Sequence, residues 1–174
     1  MKKLAIIGVI LTINMFYSKA QEIEWMNIND ALVKLQNEPR KLLVDVYTDW
    51  CGWCKVMDKS TYSDTNIIEY INDKYYPVKL NAEQKENIII GDKTFKFIQN
   101  GSRGYHELAA YLLNGNLGYP ATVIIDENSN IIQIISGYKK APEFDLIINF
   151  FGDNHYLSKS FADFQKNYSS PYKN

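Results

Sequence analysis

The chain contains two cysteines, and both lie in one four-residue motif, 51–54 (CGWC). The motif directly follows the apolar run 41–47, which only Asp45 interrupts and which is typical of a strand buried on both faces. A helical pattern resumes at Lys55. This order of strand, cysteine pair and helix constrains the fold more than any other feature of the sequence.

The spacing of the cysteines favours redox chemistry over a structural role. A disulfide between Cys51 and Cys54 closes only a very short loop, whereas structural disulfides stabilise most when they join distant segments. A disulfide exchanger needs one cysteine that ionises easily and a second, close by, that releases the mixed disulfide. The start of a helix stabilises a thiolate at the first position. We therefore predict that Cys51 is the nucleophile and Cys54 the resolving cysteine.

Half of a zinc site is the alternative for the same motif. Structural zinc needs four ligands, and neither of the two histidines, His106 and His155, lies near a second cysteine. We therefore expect no metal and no cofactor other than the redox-active disulfide. A copper-handling thiol protein is a further hypothesis, which tight binding of Cu(I) would support.

Helical and strand patterns alternate along the rest of the chain, which is typical of an α/β domain with a mixed sheet covered on both faces. Two short apolar segments, 87–90 and 93–97, flank Gly91-Asp92 and predict a type II′ hairpin. The predicted helices are 28–36, the segment from Lys55, 65–75, 105–113, 142–151 and 158–168, and the further strands are 76–80, 121–126 and 131–136.

The first twenty residues differ from the globular pattern. Two lysines near the start precede a mostly apolar run, 4–17, and Ser18 and Ala20 place small residues where a signal peptidase cleaves. This pattern predicts a signal peptide over 1–20 and export to the periplasm, with secretion into the medium as a second destination. A buried N-terminal helix is the alternative.

Length and composition are those of one globular domain. The chain has 174 residues, of which 46% are hydrophobic and 22% charged, enough to bury a sizeable core. We expect this domain over 21–153 and a C-terminal helical extension with a tail over 154–174. Loss of the signal peptide removes three lysines and no acid, so the formal net charge moves from −1 to −4, which does not favour a nucleic-acid partner. No later apolar run is long enough for a membrane span, so no stable span is expected after processing.

Residues 43–55 (LVDVYTDWCGWCK) resemble the active-site strand and loop of the thioredoxin superfamily. The continuation 57–64 is most similar to the exported branch that includes the C-terminal domain of the bacterial transmembrane disulfide reductase. Two further landmarks, 78–81 and 118–122, follow in the family's order. The resemblance implies a thioredoxin-like α/β fold, with a central mixed sheet and helices on both faces. It also implies a cis-proline at Pro120. The stretch 83–118 before this proline is longer than a thioredoxin needs, so its predicted hairpin and helix are an insertion in which the chain departs from the family.

The resemblance further implies roles for residues outside the cysteine pair. Asp45 matches the buried acid that handles the proton of the resolving cysteine, and burial should raise its pKa. Lys79 matches the strand lysine near that acid. Pro120 matches the cis-proline beside the pair, and the backbone of Tyr119 would pair with an extended substrate strand. The alternatives are an edge-strand position facing solvent for Asp45 and a surface position for Lys79.

Side chains around the pair are predicted to bind substrates. Trp50 and Trp53 flank the site and, with Gly52, would give it an apolar rim. Ordinary packing is the alternative for both tryptophans. His106 and Glu107 begin the helix before the proline, and a helix-surface position is expected for both.

These features together predict a thiol-disulfide oxidoreductase that acts on exported proteins. The two residues between the cysteines, Gly52 and Trp53, include neither the proline of typical thioredoxins nor the histidine of strong oxidants. Their absence favours a reductant or a mild isomerase. No dinucleotide-binding motif is present, so electrons are expected to come from a membrane-bound reductase. The alternative is a protein-binding module with the same fold, whose cysteine pair is not essential.

Overall fold

Eight strands and six α-helices are described between residues 22 and 172, the range covered by this computed structural model. The strands are β1 (Lys41–Tyr47), β2 (Tyr75–Asn81), β3 (Ile88–Ile90), β4 (Lys93–Phe95), β5 (Phe97–Asn100), β6 (Arg103–His106), β7 (Ala121–Ile125) and β8 (Ile131–Ser136). The helices are α1 (Ile28–Asn37), α2 (Gly52–Ser60), α3 (Thr65–Lys74), α4 (Glu107–Leu112), α5 (Ala141–Gly152) and α6 (Phe161–Asn167), with a 3₁₀ turn at His155–Leu157.

Four of these strands form the central sheet, in the order β2–β1–β7–β8. β1 pairs parallel with β2 and antiparallel with β7, and β8 completes the sheet as the antiparallel neighbour of β7. The predicted mixed sheet is therefore confirmed. Because β1 is paired with a strand on each side, neither of its edges faces solvent.

Hydrophobic clusters cover both faces of the sheet. Side chains alternate along β1, so Leu42, Val44 and Val46 enter the cluster beneath α1 and α4, whereas Leu43 enters the cluster beneath α3 and α5. The same alternation places Asp45 on the face of Leu43. This face also receives Met57 from α2, so Asp45 lies on the side of the sheet that the cysteine-bearing helix covers.

The insertion between β2 and β7 contains two hairpins rather than one. The predicted hairpin around Gly91 is confirmed as β3 and β4, and Gly91 has a positive φ of 58° whereas Asp92 does not, the pattern of a type II′ turn. The second hairpin, β5–β6, was not predicted. It shortens the helix predicted over 105–113, because Tyr105 and His106 pair with β5 and the helix begins only at Glu107.

The C-terminal segment packs against α5. The final helix is shorter than the predicted 158–168, because Ser160 caps α6 and the 3₁₀ turn precedes it. Phe164 is 5% exposed and lies 5.3 Å from Phe150 between ring centroids. Tyr168 donates a hydrogen bond of 3.0 Å to the buried Asp145 carboxylate. The division of the chain at residue 153 stays a prediction.

The predicted signal peptide, 1–20, lies outside the described residues. Between residues 22 and 172 no helix combines the length and the apolar character that a membrane crossing requires.

Close packing inside the second hairpin depends on Gly104. A Cβ atom at this position would lie 2.1 Å from the Phe97 ring and 2.4 Å from the Ile98 carbonyl oxygen. The ring can rotate away, but the carbonyl belongs to the paired strand, so the strands would have to separate. The hairpin therefore requires a residue without a side chain at this point.

We expect Gly104→Ala to destabilise the protein by about 1–3 kcal/mol, the usual cost of overpacking. The free energy of unfolding from urea titration measures the effect. Gly118→Ala is the matched control, because a Cβ there would meet nothing within 4 Å. Equal stability of the two variants would show that the β5–β6 pairing accepts a side chain.

Candidate active site

The cysteine pair forms a disulfide at the N-terminus of α2. The Sγ atoms of Cys51 and Cys54 are 2.03 Å apart, and Cys51 is the N-cap residue of the helix. Its Sγ accepts a hydrogen bond of 3.1 Å from the backbone N–H of Cys54. Donation from the first helical turn stabilises negative charge on this sulfur, so the fold favours the Cys51 thiolate once the pair is reduced.

The two sulfur-bearing residues are buried within an exposed aromatic rim. In the disulfide form Cys51 is 5% exposed and Cys54 is 3% exposed, whereas Trp50 and Trp53 are 55% and 62% exposed. The Trp53 ring stacks on Tyr138 at 5.4 Å between centroids. Gly52 is exposed between the cysteines, and a Cβ there would meet nothing within 4 Å. Both tryptophans are thus exposed beside the pair, and each also packs on a neighbouring ring, so their role in substrate binding stays a prediction.

The loop before β7 lies beside this rim. The Tyr119–Pro120 peptide bond is cis, as the resemblance implied. The Tyr119 ring meets Trp50 edge-on at 6.1 Å, which joins the proline loop to the cysteine loop. Burial, and then the negative charge of Glu83, raise the pKa of Tyr119 to about 12. Its hydroxyl is therefore neutral at physiological pH.

Asp45 lies in the centre of the sheet and is 1% exposed. The strand registers place it across from Lys79 on one side and Thr122 on the other. Its Oδ2 accepts a hydrogen bond of 2.6 Å from Lys79 Nζ, and its Oδ1 accepts one of 3.2 Å from the Tyr62 hydroxyl. Burial raises the pKa of Asp45, although Lys79 opposes the effect. The alternative of a solvent-facing edge-strand position is wrong.

Lys79 connects the buried acid to α2. Its Nζ contacts Asp58 of that helix at 2.5 Å as well as Asp45 at 2.6 Å, and the lysine side chain is 23% exposed. Burial by itself would lower the pKa of Lys79, but the two carboxylates outweigh it and raise the pKa. A purely surface position for this lysine is therefore wrong. The charged amine instead bridges the sheet and the cysteine helix.

Aromatic rings enclose the same amine. Its Nζ lies 4.8 Å from the ring centroid of Trp25 and 5.2 Å from those of Tyr47 and Tyr62. Ring faces attract a cation, and more strongly where water is excluded. The rings therefore favour the charged form of Lys79 and keep its amine next to the Asp45 carboxylate.

Tyr62 is a site residue that the sequence analysis did not assign. Its hydroxyl donates to Asp45 and lies 3.1 Å from Thr122 Oγ1. Burial, and then the neighbouring Asp45 charge, raise the pKa of Tyr62 well above its ordinary value. It therefore remains a neutral donor to the acid. The segment 57–64 contained Tyr62 within the resemblance, but no pattern in the sequence indicated which buried group its hydroxyl would meet.

His106 is buried and structural, so its predicted helix-surface position is wrong. It is 0% exposed and caps α4, where its Nδ1 accepts the Leu108 N–H at 3.2 Å. Its Nε2 lies 3.1 Å from the Glu86 carbonyl oxygen and donates to it. Burial lowers the pKa of His106, which keeps the ring neutral. Glu107 is partly exposed and accepts the Lys96 N–H at 2.7 Å.

Metal ligands do not converge in the described part of the chain. Between residues 22 and 172, no group of three or more His, Cys, Asp or Glu side chains is placed to hold a metal ion. The chemistry that this arrangement supports is that of the sulfur pair, with a buried acid and its charged partner on the sheet face that α2 covers.

Comparison with protein families places the chain. The family model described as Thioredox_DsbH, protein of unknown function, DUF255, matches residues 14–146, which is most of the sequence. The chain belongs to this family. The match confirms the resemblance to the thioredoxin superfamily. A comparison with curated proteins finds no match.

Solved structures show the same fold as this Thioredox_DsbH family member. The DsbH oxidoreductase matches with a TM-score of 0.53 and 17% identity, covering 75% of this chain and 85% of its own. A thioredoxin-fold protein from Helicobacter pylori matches with a TM-score of 0.56 and 17% identity, and the match covers 86% of this chain and 84% of that protein. A disulphide-isomerase described as putative, from Bacteroides thetaiotaomicron, matches with a TM-score of 0.56 and 22% identity, covering 82% and 100%. The predicted thioredoxin-like fold is confirmed.

The raised pKa of Asp45 predicts a pH-dependent stability. Because the folded protein binds this proton more tightly than the unfolded chain does, stability is lost as pH rises from the unfolded value of 3.8 through the folded pKa. We expect this loss in the native protein and its absence in Asp45→Asn. The difference between their free energies of unfolding, from urea titration of the disulfide form between about pH 4 and pH 9, measures it.

Tyr62→Phe provides a second variant for the same experiment. It keeps the acid and removes one donor to its charged form, so the loss of stability should extend to higher pH than in the native protein. A difference between native protein and Asp45→Asn that does not change with pH would contradict the assigned environment of the acid.

Proposed function

We propose that this protein is a thiol-disulfide oxidoreductase of exported proteins, which acts as a reductant or mild isomerase through Cys51 and Cys54. One observation carries the proposal: the Cys51 sulfur caps α2 and accepts the first-turn N–H of Cys54. This position favours a thiolate on the residue that would attack a substrate. Membership of the Thioredox_DsbH family supports the same chemistry.

The reaction transfers two electrons from the reduced pair to a substrate disulfide. The Cys51 thiolate attacks one substrate sulfur, an S–S bond forms between them, and the second substrate sulfur leaves as a thiolate that takes up a proton. The Cys54 thiolate then attacks Cys51 Sγ, which releases the first substrate sulfur as a thiol and forms the Cys51–Cys54 disulfide. For isomerisation the released substrate thiolate attacks elsewhere in the substrate instead, and the pair is left reduced.

Asp45 is the proposed acceptor of the Cys54 thiol proton. Cys54 and Asp58 are four residues apart on α2 and share one face of the helix. Asp58 contacts Lys79, which in turn contacts Asp45, so the acid lies on the sheet beneath this face. Burial raises the pKa of Asp45, and the raised pKa makes this carboxylate a better proton acceptor than an exposed one.

The proposed substrates are exported proteins, and the proposed electron donor is a membrane-bound reductase. The lysines and apolar run of 1–20 support export to the periplasm. The reduced pair would be restored by a membrane-bound reductase, and no further cofactor is required. The exposed rim formed by Trp50 and Trp53, with the Tyr119 loop, is the proposed contact surface for protein substrates.

We expect Cys51→Ser to reduce insulin-disulfide reduction to the background rate, because it removes the attacking sulfur. Cys54→Ser is the matched variant. It retains the nucleophile, so it should accumulate a mixed disulfide with substrate that is visible on non-reducing gels. Full activity in Cys51→Ser would contradict the proposed oxidoreductase function and favour the alternative, a protein-binding module.

The reduction potential of the pair tests the direction of electron flow. Since neither Gly52 nor Trp53 supplies a cationic group that would further stabilise the reduced thiolate, we expect a reduction potential near or below about −230 mV, on the thioredoxin side of the known range. Equilibration against glutathione or dithiothreitol measures it. A value of about −120 to −180 mV would assign an oxidase or isomerase instead.

A further inference from the structure

The second hairpin of the insertion brings an arginine to the cysteine loop. The guanidinium carbon of Arg103, on β6, lies 5.2 Å from the centroid of the Trp50 ring. Trp50 immediately precedes Cys51 and is also in edge contact with Tyr119, beside the cis-proline. A cation therefore lies at the rim of the redox pair, supplied by a residue about fifty positions away along the chain.

The Arg103 guanidinium has no acidic partner among residues 22–172. It takes part in none of their ion pairs within 4.0 Å, and its side chain donates none of their hydrogen bonds, although the residue is exposed. The Asp49 carboxylate, one residue before Trp50 in the sequence, accepts the Asn81 amide at 3.2 Å. The guanidinium lies over the Trp50 ring, and its N–H donors have no acceptor among residues 22–172, so they can bind a carboxylate.

The backbone that carries Arg103 is anchored to the rest of the domain. At the base of the hairpin, His106 donates its backbone N–H to the Ala82 carbonyl at 2.6 Å, directly after β2. At the tip, Gln99 Nε2 donates to the carbonyls of Gly101 and Arg103, both at 2.7 Å. The position of the arginine beside Trp50 is therefore held from both ends of the hairpin.

We propose that Arg103 binds an acidic side chain next to the reacting cysteine of the substrate, so that the preferred substrates are cysteine-containing peptide segments with a flanking Asp or Glu. The inference rests on the proposed function. Trp50 offers exposed apolar surface beside Cys51, and the unpaired guanidinium adds a positive charge that the carboxylate of an acidic residue complements. A charge at the rim of a contact surface acts mainly on the association rate, and salt weakens its effect.

Two disulfide-linked peptides that differ only in Glu or Gln beside the cysteine test the proposal. The reduced protein should react about 1.5- to fivefold faster with the Glu peptide at low salt, the range expected for an exposed ion pair, and the preference should shrink at high salt. Arg103→Gln should react with the Glu peptide at the rate of the Gln peptide. Tryptophan fluorescence in stopped flow follows both reactions.

Lys85→Gln is the matched control. It removes the same charge from the same insertion, but its amine lies over the Phe97 ring rather than over Trp50. This variant should keep the full preference for the Glu peptide. Equal rates for both peptides in the native protein, or an equal loss on both peptides in Arg103→Gln, would overturn the proposal and leave Arg103 with a packing role.

Peptide binding to a variant that cannot react distinguishes this proposal from the proposed oxidoreductase function. In the double variant Cys51→Ser, Cys54→Ser, the affinity for the same two peptides in their thiol form should still favour Glu and depend on salt. If the native protein reduces neither peptide while this variant prefers Glu, the oxidoreductase function fails and recognition by Arg103 stands. Equal affinities in the double variant overturn the role of Arg103, whatever the rates of reduction.

Discussion

The ion pair between Asp45 and Lys79 is the interaction on which the candidate site depends. A carboxylate in the centre of a sheet costs several kcal/mol unless an opposite charge and hydrogen-bond donors surround it. The parallel register of β1 and β2 places Lys79 directly across from Asp45, and Tyr62 supplies a second donor. A register shift of one residue would turn the acid toward the apolar cluster of Val44 and Val46. The pair therefore ties the register of the sheet to the chemistry of the site.

The same lysine joins three parts of the chain around the cysteine helix. It reaches Asp58 on α2, and it lies against Trp25 from the segment before α1. The proposed recognition surface is separate from this buried network. It consists of the exposed cysteine loop, the proline loop and the second hairpin, which meet where Trp50 contacts Tyr119 and Arg103. Because the loops are separate from the sheet, substitutions in them can change the proposed substrate preference without disturbing the buried acid.

The sequence by itself determined the elements of the sheet and the identity of the redox pair. The nearly continuous apolar run 41–47 became β1 with the predicted bounds, because a strand covered on both faces needs apolar side chains in both directions. The start of α2 at the cysteines and the turn at Gly91 also followed from local chemistry, since caps and tight turns depend on a few adjacent residues. The resemblance supplied Asp45, Lys79 and Pro120.

Only the tertiary structure decided the partners of these residues. The segments 97–100 and 103–106 lack a regular apolar alternation, so their pairing as a hairpin depends on the anchor of His106 at Ala82 rather than on their own pattern. The sequence predicts a surface position for His106 because its ring's hydrogen-bond partner, the Glu86 carbonyl, is twenty residues away along the chain. The contacts of Tyr62 with Asp45 and of Arg103 with Trp50 likewise join segments that are distant in the sequence. Contacts between distant segments depend on how strands and loops pack in three dimensions, and local periodicity carries no information about that packing.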